Sequence, residues 1–131
     1  MINDVYEFNE KIIGTPRLEK PQILNRERLL FALTAMYEEL YEFTLANNQN
    51  NVGEALDAII DLIYFALGRC YEMGITEKQF NKCWKIVQEK NMAKKRGEKN
   101  RGTNLDAVKD STWIGPEEEI AKILKINYVQ K

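Results

Sequence analysis

The sequence predicts an all-α protein, an antiparallel bundle of four to five helices. Apolar residues recur at spacings of three and four through long segments, which is the periodicity of amphipathic helices. Polar turns with capping residues separate these segments, and no segment shows a convincing strand pattern. Short connections between long amphipathic helices are typical of a bundle whose neighbours run antiparallel.

The first predicted helix covers residues 4–13 and ends at a Gly-Thr-Pro turn. The second covers residues 26–47 with Asn25 as its N-cap, and one apolar stripe follows it: Leu29, Leu33, Met36, Leu40 and Phe43. The third begins after the polar turn at residues 47–51, where Asn51 and Glu54 have capping-box spacing, and it ends at Gly74. Its apolar stripe is Leu56, Ile60, Ile63, Leu67 and Tyr71.

The fourth predicted helix covers residues 77–95, with Phe80, Trp84 and Val87 on its inner face. Residues 97–112 are basic and are predicted to form a loop. A short helix follows Gly115 and Pro116, with proline in its first turn and Ile120, Ile123 and Leu124 facing inward. We expect one domain over residues 1–131, with a core over residues 25–97 and a C-terminal loop and helix over residues 98–131.

The bulk composition restricts the function classes. The chain has 44% hydrophobic and 30% charged residues, as globular proteins do, and its net charge of −1 argues against nucleic acid as a partner. No apolar run approaches the roughly 18 residues of a membrane span, and the N-terminus is acidic rather than signal-like. We therefore expect a cytoplasmic protein that does not enter membranes.

The chain contains no histidine, and its two cysteines fall within predicted helices. Cys70 and Cys83 are expected to be reduced, packed thiols. The lack of histidine excludes Ser-His-Asp and Cys-His catalysis and histidine-containing zinc sites. The chemistry is therefore expected to depend on carboxylates, amines and a metal ion.

Two neighbouring predicted helices each carry carboxylates on one face. On the second helix, Glu38, Glu39 and Glu42 share about a third of the circumference beside the apolar stripe. The third helix carries a similar set at spacings of three and four: Glu54, Asp57 and Asp61. Antiparallel packing would bring both sets together, where crowded acids repel one another unless a cation neutralises them. Oxygen ligands without nitrogen or sulfur select Mg²⁺, Mn²⁺ or Ca²⁺.

An ordinary solvated face is the alternative interpretation of these acids. No lysine or arginine lies between Arg28 and Arg69, although the chain contains 19 basic residues. The acids therefore lack local counter-ions, which favours the metal site.

A basic segment follows the apolar face of the fourth helix. The face continues as Asn91, Lys94 and Lys95, and the positive charges extend to Arg96, Lys99 and Arg101. These side chains could hold phosphate oxygens, or they could be favourable cations at a helix C-terminus followed by a solubilising loop. A nucleic-acid surface is less well supported, because Trp113 is the one aromatic residue nearby.

Together these segments resemble the MazG-like all-α nucleoside triphosphate pyrophosphatases, especially small phage-encoded members. The resemblance covers roughly residues 25–125. Its matching segments are YEELYEF at 37–43, EALDAIIDLIYFALGRCYEMGI at 54–75, VQEKNMAKKRG at 87–97 and VKDSTWIGPEEEIAKIL at 108–124. It implies Mg²⁺-dependent hydrolysis, with Mn²⁺ as an alternative, of an NTP or dNTP to the monophosphate and pyrophosphate. It also implies a homodimer or homotetramer.

The resemblance also implies roles for particular residues. The family's Glu-x-x-Glu metal motif corresponds to Glu39 and Glu42, with Glu38 preceding it. Glu54 and Asp57 match the second motif, Glu-x-x-Asp, in residue type and spacing.

The distance to Gly74 instead aligns the family's aspartate with Asp61. Asp57 and Asp61 are therefore predicted as metal ligands, and Glu54 as an outer-shell or alternative ligand. The family's phosphate contacts correspond to Asn91, Lys94 and Lys95.

On this basis we expect Glu38 or Glu39 to orient or deprotonate the attacking water, while Lys94 and its neighbours neutralise the departing pyrophosphate. Three different functions would also fit the sequence: a catalytically silent metal- or nucleotide-binding module that regulates a partner, a purely structural helical oligomer, and a dUTP- or dCTP-specific relative.

Overall fold

The computed structural model describes residues 1–130 and is mostly helical, as the sequence predicts. Its elements in order are α1 (Ile2–Phe8), a π-helical segment (Asn9–Ile13), α2 (Arg26–Asn48), α3 (Val52–Glu72), α4 (Glu77–Met92), β1 (Lys95–Gly97), β2 (Asp106–Val108) and α5 (Glu117–Leu124). Contacts divide the chain into two compact units, Met1–Glu77 and the residues from Lys78 onward. The single-domain organisation stays a prediction. None of the helices within residues 1–130 combines the length and the apolar character that a bilayer crossing requires.

The first unit is built on the hairpin of α2 and α3. The predicted N-caps are confirmed, because Asn25 Oδ1 accepts a hydrogen bond from Arg28 N at 2.8 Å and Asn51 Oδ1 accepts one from Glu54 N at 3.1 Å. Arg28 at the start of α2 pairs with Glu72 at the end of α3, so the two helices run antiparallel. The carboxylate-bearing faces are therefore neighbours.

Small residues form the contact between these helices. Ala32, Ala35 and Ala46 of α2 and Ala58 of α3 are buried. Alanine has no side chain beyond Cβ, so the backbones approach closely.

The three leucines of the apolar stripe predicted on α2 are not buried in this unit. Leu29, Leu33 and Leu40 are 43–46% exposed, because the alanine face of α2, rotated away from them, contacts α3. On α3 the predicted stripe divides: its first three members are exposed, whereas Leu67 and Tyr71 are buried. Much apolar surface thus remains uncovered on both helices.

Helix α1 packs on the buried end of α3. The rings of Tyr6 and Tyr71 meet edge to face with centroids 5.1 Å apart. A Cβ on Gly68 would lie 3.1 Å from Asn9 Nδ2, so this mid-helix glycine allows close packing of the π-helical segment. The Tyr6 hydroxyl donates to Ile75 O at 2.6 Å.

Residues 14–25 connect α1 to α2 without regular structure but with several anchors. Tyr71 donates its hydroxyl to Thr15 O at 2.6 Å, and Gln22 N donates to Met73 O at 2.9 Å. Arg17 pairs with Glu77 at 2.7 Å. Gly74 has a φ of +76°, and a Cβ there would come within 2.6 Å of Lys20 O. This segment is therefore held against the C-terminal end of α3.

The second unit differs from the prediction in two respects. Helix α4 ends at Met92 rather than near residue 95. Two short antiparallel strands follow, one beginning at the predicted helix end and one within the predicted loop, with Lys95 opposite Val108 and Gly97 opposite Asp106. Each strand has three residues, which is too short for an alternating pattern to show in the sequence. Pro116 is the N-cap of α5 rather than a residue of its first turn.

Candidate functional site

Four carboxylates of α2 and α3 lie within interaction range of one another. Glu39 is 9% exposed and Asp61 is half-buried, whereas Glu42 and Asp57 are exposed. The charges of Glu42, Asp57 and Asp61 all act on Glu39. The antiparallel hairpin thus brings both predicted ligand sets together.

The carboxylates disfavour one another's ionised forms. Burial raises the pKa of Glu39 to about 7, and the hydrogen-bonding contact with Glu42 and the charges of Asp61 and Asp57 act in the same direction. Burial also raises the pKa of Asp61, followed by the charges of Asp57 and Glu42. A positive ion at this place would relieve both the burial cost and the repulsion.

The donor set suits a hard divalent cation. Glu39 Oε2 is buried and has no hydrogen-bond donor among residues 1–130. The available ligands are carboxylate oxygens, as Mg²⁺ and Mn²⁺ prefer. Among the same residues no three acidic side chains converge closely enough to ligate one ion, so ligation by more than two of them requires side-chain rotation.

The carboxylates line two cavities of the first unit. Glu39 and Asp61 line a cavity of about 410 Å³ with largely apolar walls. Glu42 and Asp57 line a second, polar cavity of about 400 Å³, which Glu54 also lines. Two of the carboxylates therefore adjoin an apolar space, and two others adjoin a more polar one.

The remaining predicted acidic residues differ in position. Glu54 lies beside Glu42 and Asp57 on the wall of the polar cavity. Glu38 is exposed and lines neither cavity, so the sequence prediction that pairs it with Glu39 gains no support from its position.

Two arginines at the far end of the hairpin were not predicted as site residues. Arg28 makes a bidentate contact with Glu72, at 2.6 and 2.9 Å, and Arg69 Nη2 lies 2.9 Å from Glu72 Oε1. The guanidinium groups of both arginines lie over the Phe31 ring, and both residues line the apolar cavity. The sequence contained a signal for this contact, because the two arginines stand at the two ends of the stretch without lysine or arginine. An antiparallel hairpin brings the ends of such a stretch together.

The predicted phosphate-binding residues lie in the second unit. Lys94 Nζ donates to Asn91 Oδ1 at 2.9 Å and lies 5.1 Å from the centroid of the Trp113 ring. Lys109 Nζ lies 4.6 Å from the same ring, whose indole N–H donates to Lys90 O. Lys95 is exposed at the start of β1. Asn91 and Lys94 thus form one local contact that also includes Trp113.

A sequence model of the phosphoribosyl-ATP pyrophosphohydrolase family matches residues 5–91, about two thirds of the chain. This is an all-α family of pyrophosphohydrolases that is related to the MazG-like fold, and its members commonly use divalent metals. The matched range contains α2 and α3 with all six predicted acidic site residues. A comparison with curated proteins found no match.

Proposed function

The chain belongs to the phosphoribosyl-ATP pyrophosphohydrolase family and is thus a pyrophosphohydrolase of nucleotide phosphoanhydrides, and from this premise we propose that it converts an NTP or dNTP to the monophosphate and pyrophosphate with Mg²⁺. The observation that carries the proposal is the group of four interacting carboxylates around buried Glu39. A triphosphate with its cation complements such a group, since Mg²⁺ is usually bound through a few carboxylates together with substrate phosphates.

Glu39, Glu42, Asp57 and Asp61 would hold the Mg²⁺, with Glu54 as an outer-shell or alternative ligand. Held there, Mg²⁺ would lower the pKa of the attacking water and would place positive charge beside the phosphoryl oxygens. Mn²⁺ satisfies the same oxygen ligands and is the expected substitute.

A carboxylate orients the attacking water and accepts its proton. As the water oxygen bonds to the α-phosphorus, the bond from that phosphorus to the bridging oxygen breaks and pyrophosphate leaves. Glu38 and Glu39 are the candidates for this role, and the burial of Glu39 among the other carboxylates favours it over exposed Glu38. Asn91, Lys94 and Lys95 are proposed to bind phosphate oxygens, because their donors carry or adjoin positive charge.

The active form is proposed to be a homodimer or homotetramer. Its support is the exposed apolar surface of α2 and α3, which includes Leu33, Leu40, Leu56 and Ile60. Exposed large apolar side chains that recur along helices are typical of protein interfaces. The oligomer is part of the proposal that the chain is a small, phage-type MazG-like enzyme.

The family description points to a second candidate substrate, phosphoribosyl-ATP. The same carboxylates would serve it, because it has the same kind of phosphoanhydride. A dUTP- or dCTP-specific enzyme is a third candidate, and a silent nucleotide-binding module is a fourth. A panel of all common NTPs and dNTPs with phosphoribosyl-ATP, separated by ion-exchange chromatography after incubation with Mg²⁺, distinguishes these four functions.

Replacing Asp61 with asparagine or Glu42 with alanine should lower kcat/KM by more than about 100-fold, because loss of outer-shell partners of a metal alone costs about 10–100-fold. Glu19→Gln, an exposed carboxylate in the connection before α2, is the control and should keep full activity. EDTA should abolish turnover, and added Mg²⁺ should restore it. Normal activity in both site variants would refute the assignment.

A further inference from the structure

Arg69 is a buried arginine with unused hydrogen-bond donors. Its side chain is 12% exposed, and Nη2 lies 2.9 Å from Glu72 Oε1. Its Nε and Nη1 are buried and have no acceptor among residues 1–130. Burial is also the main cause that lowers its pKa. Buried donors without acceptors destabilise a fold, so such a group in a native protein needs an explanation.

Charge balance does not supply that explanation. Arg28 already binds both carboxylate oxygens of Glu72, at 2.6 and 2.9 Å. Burial of a second guanidinium beside an already paired carboxylate leaves a net positive charge in this cluster. An acceptor brought by a ligand would satisfy the remaining donors of Arg69.

The cavity beside Arg69 has the volume and the walls for such a ligand. It measures about 410 Å³ and is lined by four aromatic rings, those of Phe8, Phe31, Tyr64 and Phe65. The rings form two edge-to-face pairs, with centroids 5.5 and 6.4 Å apart. Aromatic walls with a few polar groups are typical of sites for small planar molecules. Glu39 and Asp61 line the same cavity, so a ligand in it adjoins the candidate metal centre.

We propose that this cavity binds the base of the nucleotide and that Arg69 determines specificity by donating to a carbonyl oxygen of that base. Arginine offers donors and no acceptor. Adenine is the one common base without a carbonyl oxygen, and the enzyme therefore prefers the other bases over it. The inference rests on the proposed function, because it assumes a nucleotide held at the carboxylates.

Hypoxanthine and adenine provide a matched comparison, since they differ in one oxo or amino group on the same ring system. We expect kcat/KM for the best carbonyl-bearing substrate among dITP, dGTP, dUTP and dCTP to exceed that for dATP at least tenfold. In Arg69→Met this ratio should fall to within about threefold of unity while kcat/KM for dATP stays within about threefold, because a site that binds a polar substrate group discriminates through its buried partners.

Arg69→Met should fold, because Glu72 keeps its bidentate partner Arg28. Arg69→Lys keeps the positive charge with fewer donors and should give an intermediate ratio. Arg26→Met removes an exposed arginine at the start of α2 and controls for the loss of one charge. Its ratio should equal that of the wild type.

Equal or better use of dATP by the wild type would overturn the inference, and so would an equal loss for all bases in Arg69→Met. If the wild type hydrolyses no triphosphate, the proposed function fails separately, and calorimetric binding of dITP and dATP with Ca²⁺ decides the inference. A dITP preference that Arg69→Met removes would support it. Equal binding of the two nucleotides, or binding of neither, would refute it.

Discussion

Glu39 connects the burial of a single side chain to the chemistry of the site. It is 9% exposed and has three other carboxylates within interaction range, yet Oε2 has no donor among residues 1–130. A carboxylate in this position destabilises the metal-free fold when it is ionised. The same property makes the position suitable for binding a cation.

The metal-free protein should therefore be more stable at pH 5.5 than at pH 8. The folded-state pKa of Glu39, about 7, exceeds its ordinary value of 4.5, so the folded state binds the proton more tightly. This contribution is complete below pH 4.5 and is lost as the pH rises through 7. Urea unfolding in EDTA should show a difference of about 1–3 kcal/mol.

Glu39→Gln is the matched variant and should largely remove this pH dependence. Glu72 and Glu77 have lowered pKa values because of their arginine partners, and their stabilisation is lost as the pH falls below their ordinary value of 4.5. They therefore do not act in this window. A wild type that is more stable at pH 8 would contradict the prediction.

Helical spacing and a short connection predicted that acidic residues of the two helices approach one another, and four of the six predicted residues interact in this way. The sequence could not indicate which of them is buried. Glu38 and Glu39 are consecutive glutamates on the same predicted acidic face. The rotation of α2 about its axis against α3 determines that Glu39 is buried and Glu38 is exposed. That rotation depends on alanine packing between the helices. The sequence did not indicate it, because the leucine stripe is the stronger apolar pattern on α2.

At the scale of elements, local signals predicted helix ends better than helix faces. The caps Asn25 and Asn51 were identified correctly because a cap is a contact between residues three positions apart. The strands β1 and β2 were missed because their pairing joins residues 95–97 to 106–108, and three residues give no periodic signal. The end of α4 was placed too late because Lys95, which was predicted to be helical, pairs with Val108 in this sheet.

Gly74 at the end of α3 should be less replaceable than Gly14 at the end of the first helical segment. Both have positive φ, +76° and +77°, but a Cβ on Gly74 meets Lys20 O at 2.6 Å and one on Gly14 meets nothing within 4 Å. Gly14→Ala should cost about 1–2 kcal/mol of unfolding free energy from backbone strain alone. Gly74→Ala should cost about 1–3 kcal/mol more, since the carbonyl must move. Equal costs in chemical denaturation would show that the contact is not structural.

At the scale of the whole molecule, the exposed apolar residues of the first unit are the surface that the proposed homo-oligomer would bury. Leu33 and Leu40 on α2 and Leu56 and Ile60 on α3 are 43–58% exposed. The sequence predicted these residues as a core stripe, which describes their chemistry correctly but not their place within one chain. A second copy of the chain is the partner that the proposed homo-oligomer supplies.

Leu33→Lys should shift the protein from the oligomer to the monomer in sedimentation velocity, because a charge within an apolar interface cannot be buried unpaired. The monomer should keep its helical content, since Leu33 is 43% exposed in the single chain. Asn48→Lys, at the exposed end of the same helix, introduces the same charge and should leave the oligomer intact. A wild type that sediments as a monomer at all concentrations would disprove the oligomer.

The connection at residues 14–25 has a consequence for local unfolding of the first unit. It contains no helix or strand, yet two tyrosine-centred contacts and the Gln22–Met73 hydrogen bond attach it to the C-terminal end of α3. A connection attached at several points gains little entropy by detaching at one of them. Its amide at Gln22 should therefore exchange hydrogen on the timescale of the helical hairpin rather than on that of an open coil.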